Sequence, residues 1–225
     1  MHHCSEPPIL YFGTPVVLIS TLNEDGSANL APISSVFWLG WRAVLGISAA
    51  SQTTKNLLRT GQCVLNLPSV DLVGAVNRLA RTTGASPVPP WKQQAGYRTE
   101  PDKFGVAGLT PLPAETVAAP RVRECPVHLE AVLEDTHSLA AHDEGLRGRL
   151  LSLEVRVQRV HLTDAICHAD QPNRVDPDKW RPLIMSFQHF YGLGERVHES
   201  TLAQIPEALY RSSDVDRARQ APITL

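Results

Sequence analysis

NEDGSANLAPISSVF, residues 23–37, is followed by the apolar run AVLGISAAS (43–51) and the hydroxyl-rich SQTTKN (51–56). Asp25-Gly26 separates the apolar run 16–19 from residues 29–37. Mirror-image hairpin turns demand residues that tolerate positive φ, so this dipeptide predicts two paired strands. Pro32 inside the second marks an edge or a bulge. The strand 43–51 then runs into Ser51, Thr53, Thr54, Lys55 and Asn56, where a helix begins. Two readings fit these residues. Ser and Thr ahead of a helix are ordinary caps. Hydroxyls, a cation and unpaired helical N–H groups at one point are also how an anion is held, phosphate above all. NLAPISS and SQTTKN flank one short strand and so can face a single ligand.

Further along, Gly61 is placed to end the helix in the left-handed conformation, and residues 62–68 read as a buried strand. Ser69 predicts a cap for a longer helix through about Thr83, with Leu72, Val73, Val76, Leu79 and Ala80 on one face. Residues 84–120 turn rich in Pro, Gly and Ala, with Trp91, Tyr97 and Phe104. So long an irregular stretch is either a functional lid or a surface excursion packing its aromatics on the domain. Two long strands follow, at about 122–134 and 150–162. In the second, Leu151, Leu153, Val155 and Val157 alternate with polar residues, and the change of phase at Val160 predicts a bulge after Gln158. The loop between them carries His142 and Asp143 as exposed residues. A segment of helical character at 202–210 lies in a tail that starts at about 196 and is expected to wrap a partner subunit.

Three segments resemble the flavin reductase-like, FMN-binding split-barrel family: GSANLAPISSVF (26–37), SQTTKNLLRTGQCVLNLP (51–68) and DKFGVAGLTPLPAETVAAPRVRECPVHLEAVLE (102–134), with an echo in HFYGLGE (189–195). They fall in the family's order across most of the first 195 residues. The resemblance implies one mainly β (α+β) domain over 1–225, an FMN-binding split β-barrel with peripheral helices. It implies a homodimer with the flavin near the subunit interface. Asn29, the backbone around Ala31 and Pro32, and Ser34 or Ser35 would meet the flavin ring and ribityl chain. Ser51, Thr53, Thr54, Lys55 and Asn56 would meet the ribityl and phosphate oxygens. Ser48 and Lys103 complete the cofactor-binding set; Arg78 and Arg81, on the polar face of the helix expected through Thr83, are either a solvated face or further cations for the phosphate. The family also places a side chain over the flavin after the serine pair, where Val36, Phe37 and Trp38 are the candidates.

Composition agrees. With 225 residues, 43% hydrophobic and 20% charged, the chain can bury one core. A formal net charge of −2 gives no electrostatic footprint for nucleic acid or an anionic membrane. No run reaches the ~18 apolar residues of a membrane span, and the start MHHCSEPP lacks signal-peptide character, so a cytoplasmic location is expected. Cys4, Cys63, Cys125 and Cys167 include no C-x-x-C pair, and the nine histidines show no metal-binding spacing; free thiols and no metal are expected. Gly192-Leu193-Gly194 lacks the third glycine of a dinucleotide fingerprint, and neither a phosphate loop nor a nucleophile elbow is present.

The expected activity is hydride transfer from NADH or NADPH to FMN, with FAD possible, and with no side chain needed as acid or base because the cofactor carries the chemistry. The reduced flavin would pass to a partner monooxygenase or its electrons to another acceptor. Two alternatives stand beside it: an enzyme that keeps FMN bound and acts on a small organic substrate, and a non-catalytic flavin-binding protein.

Overall fold

The computed structural model describes residues 1–223. In chain order it contains β1 (Phe12–Pro15), β2 (Val17–Leu22), β3 (Ala28–Ile33), β4 (Val36–Leu39), β5 (Arg42–Ser48), α1 (Gln52–Thr60), β6 (Gln62–Leu67) and α2 (Val73–Leu79). The short strands β7 (Thr82–Thr83) and β8 (Arg98–Thr99) pair in parallel and enclose α3 (Pro90–Gln94). Then come α4 (Lys103–Ala107), β9 (Pro111–Leu112), β10 (Arg121–Val122) and the long hairpin β11 (Val127–Ser138) and β12 (Leu150–Leu162). The chain closes with β13 (Cys167–His168), β14 (Gln171–Val175), β15 (Leu183–Ser186), β16 (His189–Gly192) and α5 (Ser213–Arg219). No helix of the described residues is long and apolar enough to cross a membrane.

Seven antiparallel strands form the main sheet in the order β3-β2-β6-β11-β12-β5-β4. Its two edge strands, β3 and β4, are joined by Ser34 and Ser35 alone. Two residues cannot bridge a flat seven-stranded sheet, so the sheet rolls until its edges meet: a split barrel, mainly β with peripheral helices. Strand alternation fills both faces. Val17 and Ile19 point inward with Leu45, Leu65, Leu153 and Val155, and Leu57 of α1 joins them. Val16, Leu18 and Leu30 point outward and are covered by Val76 and Leu79 of α2 and by Phe104 and Ala107 of α4. Each such aliphatic side chain contributes about 1.5–3 kcal/mol on burial.

One buried carboxylate ties the irregular segment before β10 to the barrel. Glu130 of β11 is 0% exposed. It accepts from the backbone N–H groups of Glu115 (2.9 Å) and Thr116 (2.6 Å), the Thr116 hydroxyl (2.7 Å) and His161 Nε2 (2.7 Å). Burial alone would raise its pKa; these hydrogen bonds outweigh it and hold the carboxyl down at about 2.

Several expected boundaries are corrected. At Asp25-Gly26 only Gly26 has positive φ (81°), and its N–H donates to Asn23 O at 3.1 Å. The connection is an ordinary turn followed by a left-handed glycine, because the Asp25 carboxylate accepts from Ser27 N and Oγ and keeps its own backbone at negative φ. Residues 29–37 divide at Ser34-Ser35 into β3 and β4 instead of forming one strand. The helix expected over 69–83 is a 3₁₀ turn, Val70–Leu72, and then α2. Ser69 makes no cap bond, and Thr82-Thr83 is drawn into pairing with Arg98-Thr99. Val73 and Ala80 accordingly lie exposed while Ala75, Val76 and Leu79 are buried. The strand placed at 122–134 begins after Pro126 and runs to Ser138, since a turn closed by Cys125 N to Val122 O precedes it. Residues 202–210 form two 3₁₀ turns, Thr201–Gln204 and Glu207–Tyr210, on either side of Pro206, which has no N–H to continue a helix. The bulge does fall at Gln158: Glu130 opposes Arg159 and Ala131 opposes Val157, leaving Gln158 unmatched.

Candidate functional site

The start of α1 is a fully bonded cap. Ser51 Oγ accepts from Thr54 N at 3.0 Å, and the two hydroxyls lie 2.8 Å apart. Thr54 Oγ1 donates to Ser48 O at 2.8 Å, and Ala50 N donates to Ser48 Oγ at 3.3 Å. Asn56 is equally committed, donating to Thr21 Oγ1 and Asn23 Oδ1 and accepting from Gln52 Nε2, so it fastens α1 to the β2–β3 hairpin. The capping reading thus accounts for Ser51 and Thr54. Lys55, in contrast, is exposed, and its ammonium makes no hydrogen bond or ion pair among the described residues.

Asn29 joins this helix start to β3. Its amide donates to Thr21 Oγ1 (3.2 Å) and Thr53 Oγ1 (3.1 Å), while its Oδ1 is buried with no donor. An unsatisfied buried oxygen costs about 1–3 kcal/mol, which marks a place where a donor belongs. The backbone of Gly84 closes over the same point: a Cβ there would stand 2.9 Å from Asn29 Oδ1 and 3.0 Å from Gln52 Cγ. Only a glycine lets the excursion approach so closely.

Lys103 lies on the outer side of β3, in α4. The helix starts at Asp102, whose Oδ1 accepts from Gly105 N at 2.8 Å, and Phe104 and Ala107 pack with Leu30 of β3. Lys103 is 3% exposed and has no hydrogen bond or ion pair among the described residues. Burial, reinforced by the like charge of Lys92 and opposed by Glu100, lowers its pKa to about 8. A buried ammonium without a counter-ion is costly, and an incoming dianion such as phosphate would relieve it.

At the end of β3, Pro32 and Ser34 line a cleft of about 160 Å³ whose remaining walls include Val76, Ala80, Met185 and Phe190. The mouth is apolar with one hydroxyl, a chemistry suited to a flat aromatic ring. Ala31 stays half-buried opposite Ile19 in the β2–β3 ladder, and Ser35 Oγ meets Tyr11 Oη at 3.3 Å. Among the side chains after the serine pair, Val36 is in the barrel core and Trp38 packs against it, whereas Phe37 is 58% exposed. Arg78 is spent on the carbonyls of Val106 and Ala107, clamping α2 to α4.

The residues expected from the sequence therefore gather in two groups, along β3 with its serine junction and at the start of α1, linked through the Asn29–Thr53 hydrogen bond. Gly84 and Met185 belong to the same neighbourhood and carried no motif, and Phe190 lay in the echo HFYGLGE without a role; only the tertiary fold brings them there. Gln52 sat unremarked inside SQTTKN.

Residues 9–170 match the family model described as a flavin reductase like domain. The chain belongs to that family. Among curated proteins it is 36% identical over 192 residues to the uncharacterized protein YdfE of Bacillus subtilis (strain 168), covering 85% of this chain and 89% of the relative. Among solved structures it is similar to the flavoredoxin of Desulfovibrio vulgaris (Miyazaki F), with a TM-score of 0.71 at 20% identity over 91% of this chain and 100% of that one. It also resembles nitrilotriacetate monooxygenase component B from Bacillus cereus, with a TM-score of 0.67 at 20% identity over 84% and 88% of the two chains. At such identities these structures speak for the fold.

Proposed function

We propose that this flavin reductase-like chain binds FMN and transfers hydride to it from a reduced nicotinamide nucleotide, NADH or NADPH. The observation that carries the reading is Lys103, an ammonium buried without a partner among the described residues, on the helix α4 that packs against β3, the strand whose Pro32 lines the cleft. Lys103 would take the flavin phosphate, with the solvent-facing Lys55 adding a point charge. Asn29 Oδ1 offers an acceptor for a ribityl hydroxyl. Pro32, Ser34, Met185 and Phe190 would hold the ring and keep water from one face, and the exposed Phe37, two residues past Ser35, would cover the other. When bound, the flavin supplies the hydride-accepting position; the chain supplies orientation and charge. FAD is the second flavin this arrangement admits, and no acid or base is required from the protein.

The exposed edge strand β4, with Phe37 and with Leu39 at 80% exposure, favours a homodimer that covers it. A partner monooxygenase as the consumer of reduced flavin is supported by the naming of the nitrilotriacetate monooxygenase component among the similar structures. A second reading, in which FMN stays bound and a small organic substrate is reduced, draws on the way Gly84 and the following excursion close over Asn29. Equilibrium binding tests the proposal: FMN should bind at least tenfold more tightly than riboflavin, because only FMN carries the phosphate, and equal affinities would remove the phosphate site.

A further inference from the structure

The excursion between β7 and β8 carries a second set of cationic and aromatic groups that the flavin site does not use. The rings of Trp91 and Tyr97 lie 6.3 Å apart between centroids, tilted by 58°, and the Lys92 ammonium stands 5.5 Å from each. Trp91 keeps 53% of its surface exposed. Lys92 has no carboxylate partner among the described residues, and its charge bears on the buried Lys103. Arg81 reaches the same loop, its Nη1 lying 3.5 Å from where a Cβ of Gly96 would be. Glu100 is the acid that opposes this cluster at Lys103. Like charges held together at the edge of a low-dielectric site repel unless an anion sits among them. FMN brings one phosphate, which Lys103 answers. Lys92 and Arg81 are left over, next to an exposed aromatic face.

We propose that Lys92, Trp91 and Tyr97, with Arg81 beside them, form a subsite for the adenosine diphosphate end of a dinucleotide. The exposed indole offers a stacking surface for adenine, and the two cations answer the diphosphate as charge-assisted donors. The same chemistry is found in two molecules: a flavin dinucleotide and the nicotinamide dinucleotide reductant. The inference rests on the flavin reading only in assigning Lys103 to the flavin's own phosphate.

Calorimetric titration of ADP into FMN-saturated protein, parent and Lys92→Gln, tests it. The parent should bind ADP and the variant should bind it roughly ten- to hundredfold more weakly, the scale of one lost charge-assisted bond. FMN affinity should change far less than ADP affinity in the variant, since Lys103, which answers the flavin phosphate, is kept. If the source is flavin, the variant's FAD-to-FMN affinity ratio falls; if it is nicotinamide, KM for the reductant rises while kcat is kept. ADP that fails to bind the FMN-loaded parent, or binds parent and variant equally, overturns the subsite and leaves the flavin reading standing. Lys92-dependent ADP binding by a parent that takes up no FMN would keep the subsite and remove the flavin reading instead.

Discussion

Lys103 and Lys55 separate two accounts of how a phosphate is held. The sequence put Lys55 first, because it lies inside SQTTKN, yet it faces solvent, while Lys103 is buried without a partner among the described residues. Burial cannot be read from a single lysine in a Gly- and Pro-rich stretch, so the order of the two was not legible. Lys103→Met should weaken FMN binding by about 1.5–3 kcal/mol and leave riboflavin nearly unchanged. Lys55→Ala should move the FMN-to-riboflavin ratio by well under half of that; a larger effect at Lys55 than at Lys103 would reverse the assignment. The pH dependence carries opposite signs for folding and binding. The Lys103 pKa is depressed to about 8 in the folded chain, so the flavin-free protein gains stability as pH rises through about 8 toward the unfolded value of about 10.4. FMN affinity should fall over the same range as the ammonium is lost, which titrations at pH 7 and 9.5 would read. Glu130 shifts folding stability in the same direction, but in an acidic window. Its folded pKa of about 2 lies below the unfolded value, so its contribution is complete above about pH 4.5 and is lost as pH falls toward 2, roughly 3 kcal/mol in all. Urea midpoints for parent and Glu130→Gln should differ at pH 7 and converge near pH 2.

Local pattern decided most elements. The β2–β3 hairpin, α1 with its Gly61 terminator at φ 67°, and β12 with its bulge follow from turn residues and period-two alternation that act within a few positions. Misplaced boundaries arose where a distant partner intervened. Thr82-Thr83 leaves the helical run because Arg98-Thr99 offers a ladder, and β11 outlasts Glu134 because β12 is long enough to pair with it as far as Ser138. The same limit hid Gly84, whose role exists only because the excursion meets Asn29 and Gln52. Gly84→Ala should therefore push the excursion off β3 and α1, costing about 1–3 kcal/mol of stability as overpacking does, and should weaken FMN binding beyond what Lys103→Met alone removes. A variant that binds FMN like the parent would place the flavin away from Asn29. Ser51→Ala, by comparison, removes a cap worth about 1 kcal/mol and should act on folding more than on flavin.

At the scale of the molecule, the split barrel follows from a sheet whose two edges are joined by Ser34 and Ser35, and that junction puts Pro32 and Ser34 at the mouth of the cleft. The order of the three motif segments made this fold legible before any contact was known. Which surfaces remain to be covered was not, since exposure of Phe37 and Leu39 depends on β4 being an edge. Sedimentation should find a dimer at micromolar concentration, and Leu39→Arg should shift it toward monomer; a parent that is monomeric yet binds flavin would put the whole site within one chain. The central claim is hydride transfer to bound flavin. Its most direct test is the anaerobic addition of NADH, and separately NADPH, to FMN-loaded protein while following the flavin band near ~450 nm, whose loss reports reduction of the cofactor. The account predicts that at least one of the two nucleotides bleaches the band far faster than it bleaches free FMN. Flavin that stays bound and fully coloured with both would contradict it.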